Sequence, residues 1–198
     1  ADGTITLKGS LQIHSALAWE DGLTLSSGDS AIDVSNATIV NLDHLALKTN
    51  ATTGLVTLGA ITLGDGGASS GQGSLSVTAK TALLLGDLST AGDTTGNAGD
   101  LTFHAAVVLI ANVALATNSA GVDGRINMDQ AIDGDNVAFG RQLSLTAGGG
   151  DINLQGAVGG AQALGAFVIN SAHTVALAGV ATAGVALPDT IQIGATSP

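Results

Sequence analysis

Several residue types that most folded chains use are missing or scarce in this sequence. Cysteine and tyrosine are absent, and the 198 residues include only three Phe and one Trp. Without cysteine the chain can form no disulfide, no thiolate metal site and no thiol nucleophile. With so few aromatic rings, a hydrophobic core must be filled by Val, Ile, Leu and Ala, and such a core is thin.

Glutamate and basic residues are also rare. Glu20 is the only Glu among sixteen acidic residues, and Lys and Arg together number five, so the formal net charge is −11. Asp favours turns, whereas Glu favours helix interiors, so this balance argues against a helical protein. The negative charge excludes nucleic acid as a partner. No apolar run exceeds Ala105 to Ala111, which is far short of the roughly 20 residues that span a bilayer, so no membrane insertion is expected.

Short alternating segments make up most of the chain. Each places apolar side chains at every second position and Thr, Ser or Asn between them, and each is bounded by Gly, Asp, Asn or Ser. This alternation predicts β-strands with one face in the core and one in water. Clear examples are Gly3 to Leu7, Leu55 to Leu58, Leu75 to Thr78 and Leu143 to Thr146.

A loose repeat joins these segments. Apolar strand starts recur along the chain at Leu55, Leu75, Leu101, Ile126, Leu143 and Phe167. Their separations, roughly 17 to 26 residues, are typical of a parallel β-solenoid, in which each coil stacks on the next. The sequence therefore predicts an all-β fold, a right-handed parallel β-helix over residues 1–198. With roughly 22 residues per coil it would make about nine coils, as a single β-helical segment.

A β-sandwich is the structural alternative, because it also consists of short strands joined by tight turns. Asp-Gly pairs, which favour antiparallel hairpins, start at Asp2, Asp21, Asp65, Asp123 and Asp133. The scarcity of aromatic residues and the repeat favour the solenoid. Within it, β-branched residues predict that Ala105 to Ala116 forms strand, corner and strand, with Asn112 at the corner.

Four stretches of the chain resemble the repeats of filamentous-haemagglutinin-like bacterial surface proteins. The first runs from Gly150 to Gly160 as GDINLQGAVGG, and Leu164 to Ile169 and His173 to Gly179 follow it as LGAFVI and HTVALAG. An earlier stretch, Asn97 to Phe103, resembles another common unit of that family. These families pair a Gly-Asp-led strand with a Leu-rich strand and a Thr-Val strand, and the likeness extends from about Leu55 to Gly179.

This resemblance implies that the chain is one segment of a much larger exported protein, within the β-helical stalk of a secreted adhesin at the bacterial cell surface. Its expected work is adhesion, aggregation or biofilm formation, without catalysis and without a bound cofactor. The expected partners are a cell-surface receptor, a polysaccharide or neighbouring adhesin repeats. Two alternatives stay open: a β-helix that binds or cleaves carbohydrate, and a subunit of a surface layer or filament whose coil ends stack.

An enzyme of the first kind would need carboxylates grouped on one exposed face beside a basic residue. Five Asp and two Arg lie close together in sequence and could supply this grouping, although ordinary corner residues would give the same pattern. They are Asp123, Asp129, Asp133, Asp135 and Asp151, with Arg125 and Arg141.

The sequence gives little support for a metal site. The four His are far apart in sequence and show no ligand spacing, which argues against a transition-metal site. Oxygen-rich turns suit calcium better, although no helical-hand loop is present. The calcium candidates are Asp133, Asp135, Asn136 and Asp65. Two sequons, at Asn36 and Asn50, are possible glycan acceptors in an exported chain.

Overall fold

The computed structural model describes residues 3–12, 22–40, 42–64, 73–90, 97–135, 140–179 and 191–193. Within these ranges the chain forms seventeen strands and no helix, so no described helix could span a membrane. The strands are β1 (Ile5–Gln12), β2 (Gly22–Ser26), β3 (Ile32–Val40), β4 (His44–Lys48), β5 (Leu55–Leu58), β6 (Ile61–Thr62), β7 (Ser74–Leu84), β8 (Leu88–Ser89), β9 (Leu101–Leu109), β10 (Val113–Ala116), β11 (Ile126–Met128), β12 (Ile132–Gly134), β13 (Gln142–Thr146), β14 (Ile152–Leu154), β15 (Ala166–Ser171), β16 (Val175–Leu177) and β17 (Ile191–Ile193).

Every ladder between these strands is parallel, and the strands stack as a β-solenoid with three faces. Face one stacks β2, β4, the start of β7, the start of β9, β11, β14 and β16. Face two stacks the start of β3, β5, the ends of β7 and β9, and β12. Face three stacks β6, β8, β10, β13, β15 and β17. The solenoid prediction is confirmed and the β-sandwich alternative is wrong, because tight antiparallel hairpins do not connect these strands.

The described chain makes about five turns that carry a strand on all three faces. The strands β3, β7 and β9 each continue round a corner and serve two faces. A sixth turn has a single bridge at Val158 in place of a strand on face two. The described residues thus give fewer complete turns than the nine coils expected for the chain, and single coils take more of the chain than expected. His44 and Ser74, for example, are neighbours on face one but lie 30 positions apart in sequence.

The predicted alignment of strand starts is correct only within single faces. Leu75, Leu101 and Ile126 stack on face one, as expected. Leu143 stacks on Val113 and under Phe167, which places it on face three. The two shortest separations, before Leu75 and before Leu143, therefore compare strands on different faces. Alternation alone does not distinguish one face from another.

The core consists of apolar side chains stacked in rows along the solenoid axis. Each inward side chain lies between its equivalents in the coils on either side, so those of the central turns are nearly all under 5% exposed. A row on face one shows the pattern, with Leu45, Leu75, Leu101, Ile126 and Ile152 in register. At the first and last rungs the inward residues are only partly buried: Ile5, Leu7, Leu23, Leu25, Val175 and Leu177.

The stretch from Ala105 to Ala116 is strand, corner and strand, as predicted. The strand β9 ends at Leu109, β10 begins at Val113, and Asn112 lies exposed at the corner between them. Its side-chain Oδ1 accepts a hydrogen bond of 3.0 Å from the backbone N–H of Gln142 in the next coil. The Asn at this corner therefore links two coils.

Candidate functional site

The chain passes from face three back to face one at a corner that recurs in successive coils. Two fully buried Thr side chains close this corner in successive coils. Thr90 Oγ1 donates to the carbonyl of Gly99 at 2.7 Å, and Thr117 Oγ1 donates to the carbonyl of Gly124 at 2.8 Å. These bonds satisfy buried hydroxyls and fix where the next strand on face one begins.

A column of glycines lines the same corner, because neighbouring coils approach too closely there for a side chain. A Cβ on Gly99 would lie 2.4 Å from the carbonyl oxygen of Gly73. A Cβ on Gly124 would lie 2.0 Å from that of Gly99, and one on Gly150 would lie 1.9 Å from that of Gly124. Only glycine fits this close backbone approach, so the residue after each glycine enters face one at the same height.

The residues that follow these glycines, together with His44 and Thr174 at the same register, form an outward row, here called the rim row. The register of face one places one member on each of six successive rungs. The members are His44, Ser74, Asp100, Arg125, Asp151 and Thr174. Two positions further along each strand lies a second outward row, the floor row, with smaller side chains. Its members are Ala46, Ser76, Thr102, Asn127, Asn153 and Ala176.

Two cavities lie over these rows and together form what we call the axial groove. The larger has a volume of about 510 Å³ and extends from His44 to Arg125, with Val122 and Asp123 on its wall. The smaller, about 380 Å³, continues from Arg125 to Thr174. Arg125 lines both. Six rungs at a spacing of about 4.8 Å give the groove a length of about 24 Å along the solenoid axis.

The carboxylates of the groove are occupied by their own chain. Asp100 Oδ1 accepts a hydrogen bond of 2.7 Å from the backbone N–H of Arg125 in the next coil. The two oxygens of Asp123 accept backbone N–H groups of Ser119 and Gly149, each at 2.5 Å. These Asp side chains therefore fasten one coil to another.

Asp151 lies at the centre of a small polar network in the groove. Its Oδ1 accepts a hydrogen bond of 2.6 Å from Thr174 Oγ1 and lies 3.2 Å from His173 Nδ1. Its Oδ2 lies 3.7 Å from Arg125 Nε. The hydrogen bond from Thr174, followed by that from His173, lowers the pKa of Asp151, so this carboxylate is ionised at neutral pH.

The floor row and Arg125 contrast with these carboxylates. Within the described part of the chain, no hydrogen bond engages the side chains of Ser76, Thr102, Asn127 or Asn153. The side chain of Arg125 is 63% exposed, and its ion pair with Asp151 is long. The groove therefore presents hydroxyl, amide and guanidinium groups that a bound molecule can engage.

The carboxylates suggested by the sequence do not form one cluster. Asp123 and Asp151 border the axial groove together with Arg125, and Asp129 lies on the same face but pairs with His104. Asp133 is on face two, where its Oδ1 accepts the backbone N–H groups of Ala161 and Gln162 at 2.9 and 3.0 Å.

The remaining ion pair lies beyond face two. Both oxygens of Asp135 accept hydrogen bonds from the guanidinium of Arg141, each at 2.7 Å, and these bonds raise the pKa of Arg141. Arg141 is therefore paired rather than simply solvated.

Two of the four calcium candidates, Asp133 and Asp135, lie among the described residues. The bonds of Asp133 and Asp135 occupy carboxylate oxygens, and Asn136 and Asp65 lie outside the described residues. Among the residues that the structure describes, no three His, Asp or Glu side chains gather closely enough to hold a metal ion. Of the sequon residues, Asn36 is exposed on β3, and Asn50 Oδ1 accepts hydrogen bonds from Thr52.

The floor row and the glycine column were not predicted, although the sequence carries a signal for both. A Gly-x-apolar-x-apolar pattern begins at Gly73, Gly99, Gly124 and Gly150, at nearly equal separations. Aligning these glycines gives the face-one register directly and brings Ser76, Thr102, Asn127 and Asn153 into one row.

Comparison with models of known families, with curated proteins and with solved structures finds no match.

Proposed function

We propose that this chain is an adhesive, structural segment of a secreted bacterial surface protein of the filamentous-haemagglutinin-like kind. It would hold binding surfaces at a distance from the cell and attach there through shallow contacts. The observation that carries this proposal is the axial groove, which is long, open and polar, and which lies on a frame whose coils are fastened to one another. Adhesion through many weak contacts needs a surface of this kind.

The side chains that link neighbouring coils support the structural part of the proposal. Besides Asp100 and Asn112, the carboxylate of Asp87 accepts a hydrogen bond of 2.8 Å from the backbone N–H of Ala114 in the next coil. Each link replaces a corner N–H bond to water with one inside the protein, so the coils resist separation along the axis. A stalk under tension requires this resistance.

The state of Asp151 argues against a carbohydrate-cleaving enzyme as the primary function. The acid of a glycosidase needs a raised pKa, so that it keeps its proton near neutral pH. The hydrogen bonds of Thr174 and His173 lower the pKa of Asp151 instead. The other carboxylates of the groove, Asp100 and Asp123, hold backbone N–H groups of adjacent coils.

An adhesion assay tests the proposal. Beads coated with the folded protein are mixed with bacterial and epithelial cells, and attachment and bead aggregation are counted against beads coated with albumin. We expect attachment or aggregation above the albumin control, with no turnover of polysaccharide in the medium. Attachment no greater than that of the albumin beads, or release of reducing sugar, would contradict the proposed adhesive function.

A further inference from the structure

The shape of the axial groove restricts what it can hold. It follows the solenoid axis over six rungs, from His44 to Thr174, and the described residues leave it open to solvent. A compact ligand would touch only one part of it, whereas an extended chain would contact every rung. We propose that the groove binds a linear, uncharged polysaccharide lying along the solenoid axis, which names the ligand of the adhesive function proposed above and rests on it.

The floor row has the chemistry that a sugar chain needs. Hydroxyls of Ser76 and Thr102 and amides of Asn127 and Asn153 can each donate and accept, as sugar hydroxyls do. The four side chains lie on successive rungs, and none is engaged by a hydrogen bond within the described residues. A polymer that repeats the same hydroxyls along its length can bond to one rung after another.

The charge of the groove favours an uncharged polysaccharide over a negatively charged one. Three carboxylates, those of Asp100, Asp123 and Asp151, border it, against the one guanidinium of Arg125. The whole chain carries a net charge of −11, so a polyanionic polysaccharide would be repelled at long range. Arg125 lies where the two cavities meet and can donate to oxygens of the sugar at the middle of the groove.

An extended peptide fits this face less well. Peptides commonly bind by adding a strand to a free sheet edge, with pockets for alternate side chains. On face one, β4, β7, β9, β11 and β14 are each hydrogen-bonded to a neighbouring strand on both sides, so they offer no edge. The four central members of the floor row are polar, and its two end members, Ala46 and Ala176, are too small to form an apolar pocket.

The expected affinity of a single groove is low. No Phe, Tyr or Trp is among the described residues that line the groove, so these residues offer a sugar ring no aromatic face to stack on. Binding to them then depends mainly on hydrogen bonds, each of which replaces one to water and gains little. Useful attachment would come from many copies of the segment acting together.

Titration with defined oligosaccharides tests the inference. The full chain is titrated calorimetrically with uncharged glucan, mannan and N-acetylglucosamine fragments of two to eight sugars, in buffer with and without EDTA. The groove variants are Asn127→Ala combined with Asn153→Ala, and Arg125→Gln. The matched control combines Gln142→Ala with Asn170→Ala on the outer side of face three, and circular dichroism confirms that each variant is folded.

We expect at least one series to bind, with affinity that rises with length until the fragment spans the groove and with no effect of EDTA. The groove variants should lose about tenfold in affinity and the control variant should lose none. Binding that all variants retain, or binding of no uncharged fragment, would overturn the polysaccharide site. If the beads still attach to cells in that case, the adhesive function stands with a different ligand; if they do not, both proposals fail.

Discussion

The outer sides of faces one and two differ, although their inner sides are built in the same way. Face one displays Ser, Thr, Asn and charged groups, and a groove follows them. Face two displays apolar side chains on three neighbouring rungs, at Leu55, Leu83, Leu85, Val108 and Ile110, all of them partly exposed. Burial of the core fixes the inward residues of both faces but leaves the outward residues free. The outward chemistry is therefore where function can differ between faces of one frame.

The largest expected effect comes from breaking the corner that supports face one. Gly124→Val would place side-chain carbons against the carbonyl of Gly99, and no flexible group is present there to move aside. We expect a loss of about 3 kcal/mol or more in the free energy of unfolding, measured in urea. Gly22→Ala is the control, because its Cβ would meet His44 at an ordinary 3.6 Å and should change stability by less than about 1 kcal/mol. Equal losses in both variants would show that the close approach at the corner is not what matters.

A pair of Thr variants separates the frame from the groove. Thr117 is fully buried and donates to Gly124, so Thr117→Val removes a buried hydrogen bond and should cost about 1 to 2 kcal/mol. Thr102 points outward on the floor row, so Thr102→Val should leave the free energy of unfolding within about 0.5 kcal/mol. Chemical denaturation of both proteins checks this, and the reverse order would contradict the assignment of frame and groove.

Acid should weaken the protein through carboxylates on both faces. Hydrogen bonds from the hydroxyl and the backbone N–H of Ser35 lower the pKa of Asp33 on face two, as Thr174 and His173 do for Asp151 on face one. A lowered folded-state pKa adds stability that is present above the unfolded value of about 3.9 and is lost as pH falls through the folded value. Thermal melts should therefore move to lower temperature on acidification below about pH 4.

The variant Ser35→Ala tests how much the Ser35 hydroxyl contributes to the lowered pKa of Asp33. Ser35→Ala removes the hydroxyl but keeps the backbone N–H, so the pKa of Asp33 should move upward, toward its ordinary value. Side-chain NMR titration measures it, and Ser144→Ala on face three should leave Asp33 unchanged. A pKa of Asp33 that does not move in Ser35→Ala would mean that this hydroxyl does not hold the carboxylate.

The smallest expected effect is a matched substitution on the outer side of face two. Val108→Thr changes one outward methyl to a hydroxyl and should alter the free energy of unfolding by no more than about 0.5 kcal/mol. It should also leave polysaccharide binding intact, unlike the floor-row variant of Asn127 and Asn153. Loss of polysaccharide binding in Val108→Thr would indicate that the binding site lies on face two and not on face one.

Much of the frame is predictable from the sequence, because alternation identifies inward residues and scarce aromatics imply a thin core. The assignment of strands to faces is not, because alternation distinguishes inside from outside and gives the same signal on all three faces. The outer apolar residues of face two can be recognised in the sequence as breaks in the alternation. Ala82 to Leu84 and Val107 to Leu109 are unbroken apolar runs, which indicate strands with apolar side chains on both sides. Links such as that from Asp100 to Arg125 join distant positions of the chain and become visible only once the coils are in register.

The position of the polysaccharide on the solenoid can be mapped most directly by NMR. Backbone amide shifts of the 198-residue chain would be followed while the best-binding oligosaccharide is added. If the polysaccharide lies in the axial groove, the shifts follow face one over successive rungs, at Ser74 to Ser76, Asp100 to Thr102, Arg125 to Asn127 and Asp151 to Asn153. Shifts confined to face two, to face three or to one end of the solenoid would contradict that placement.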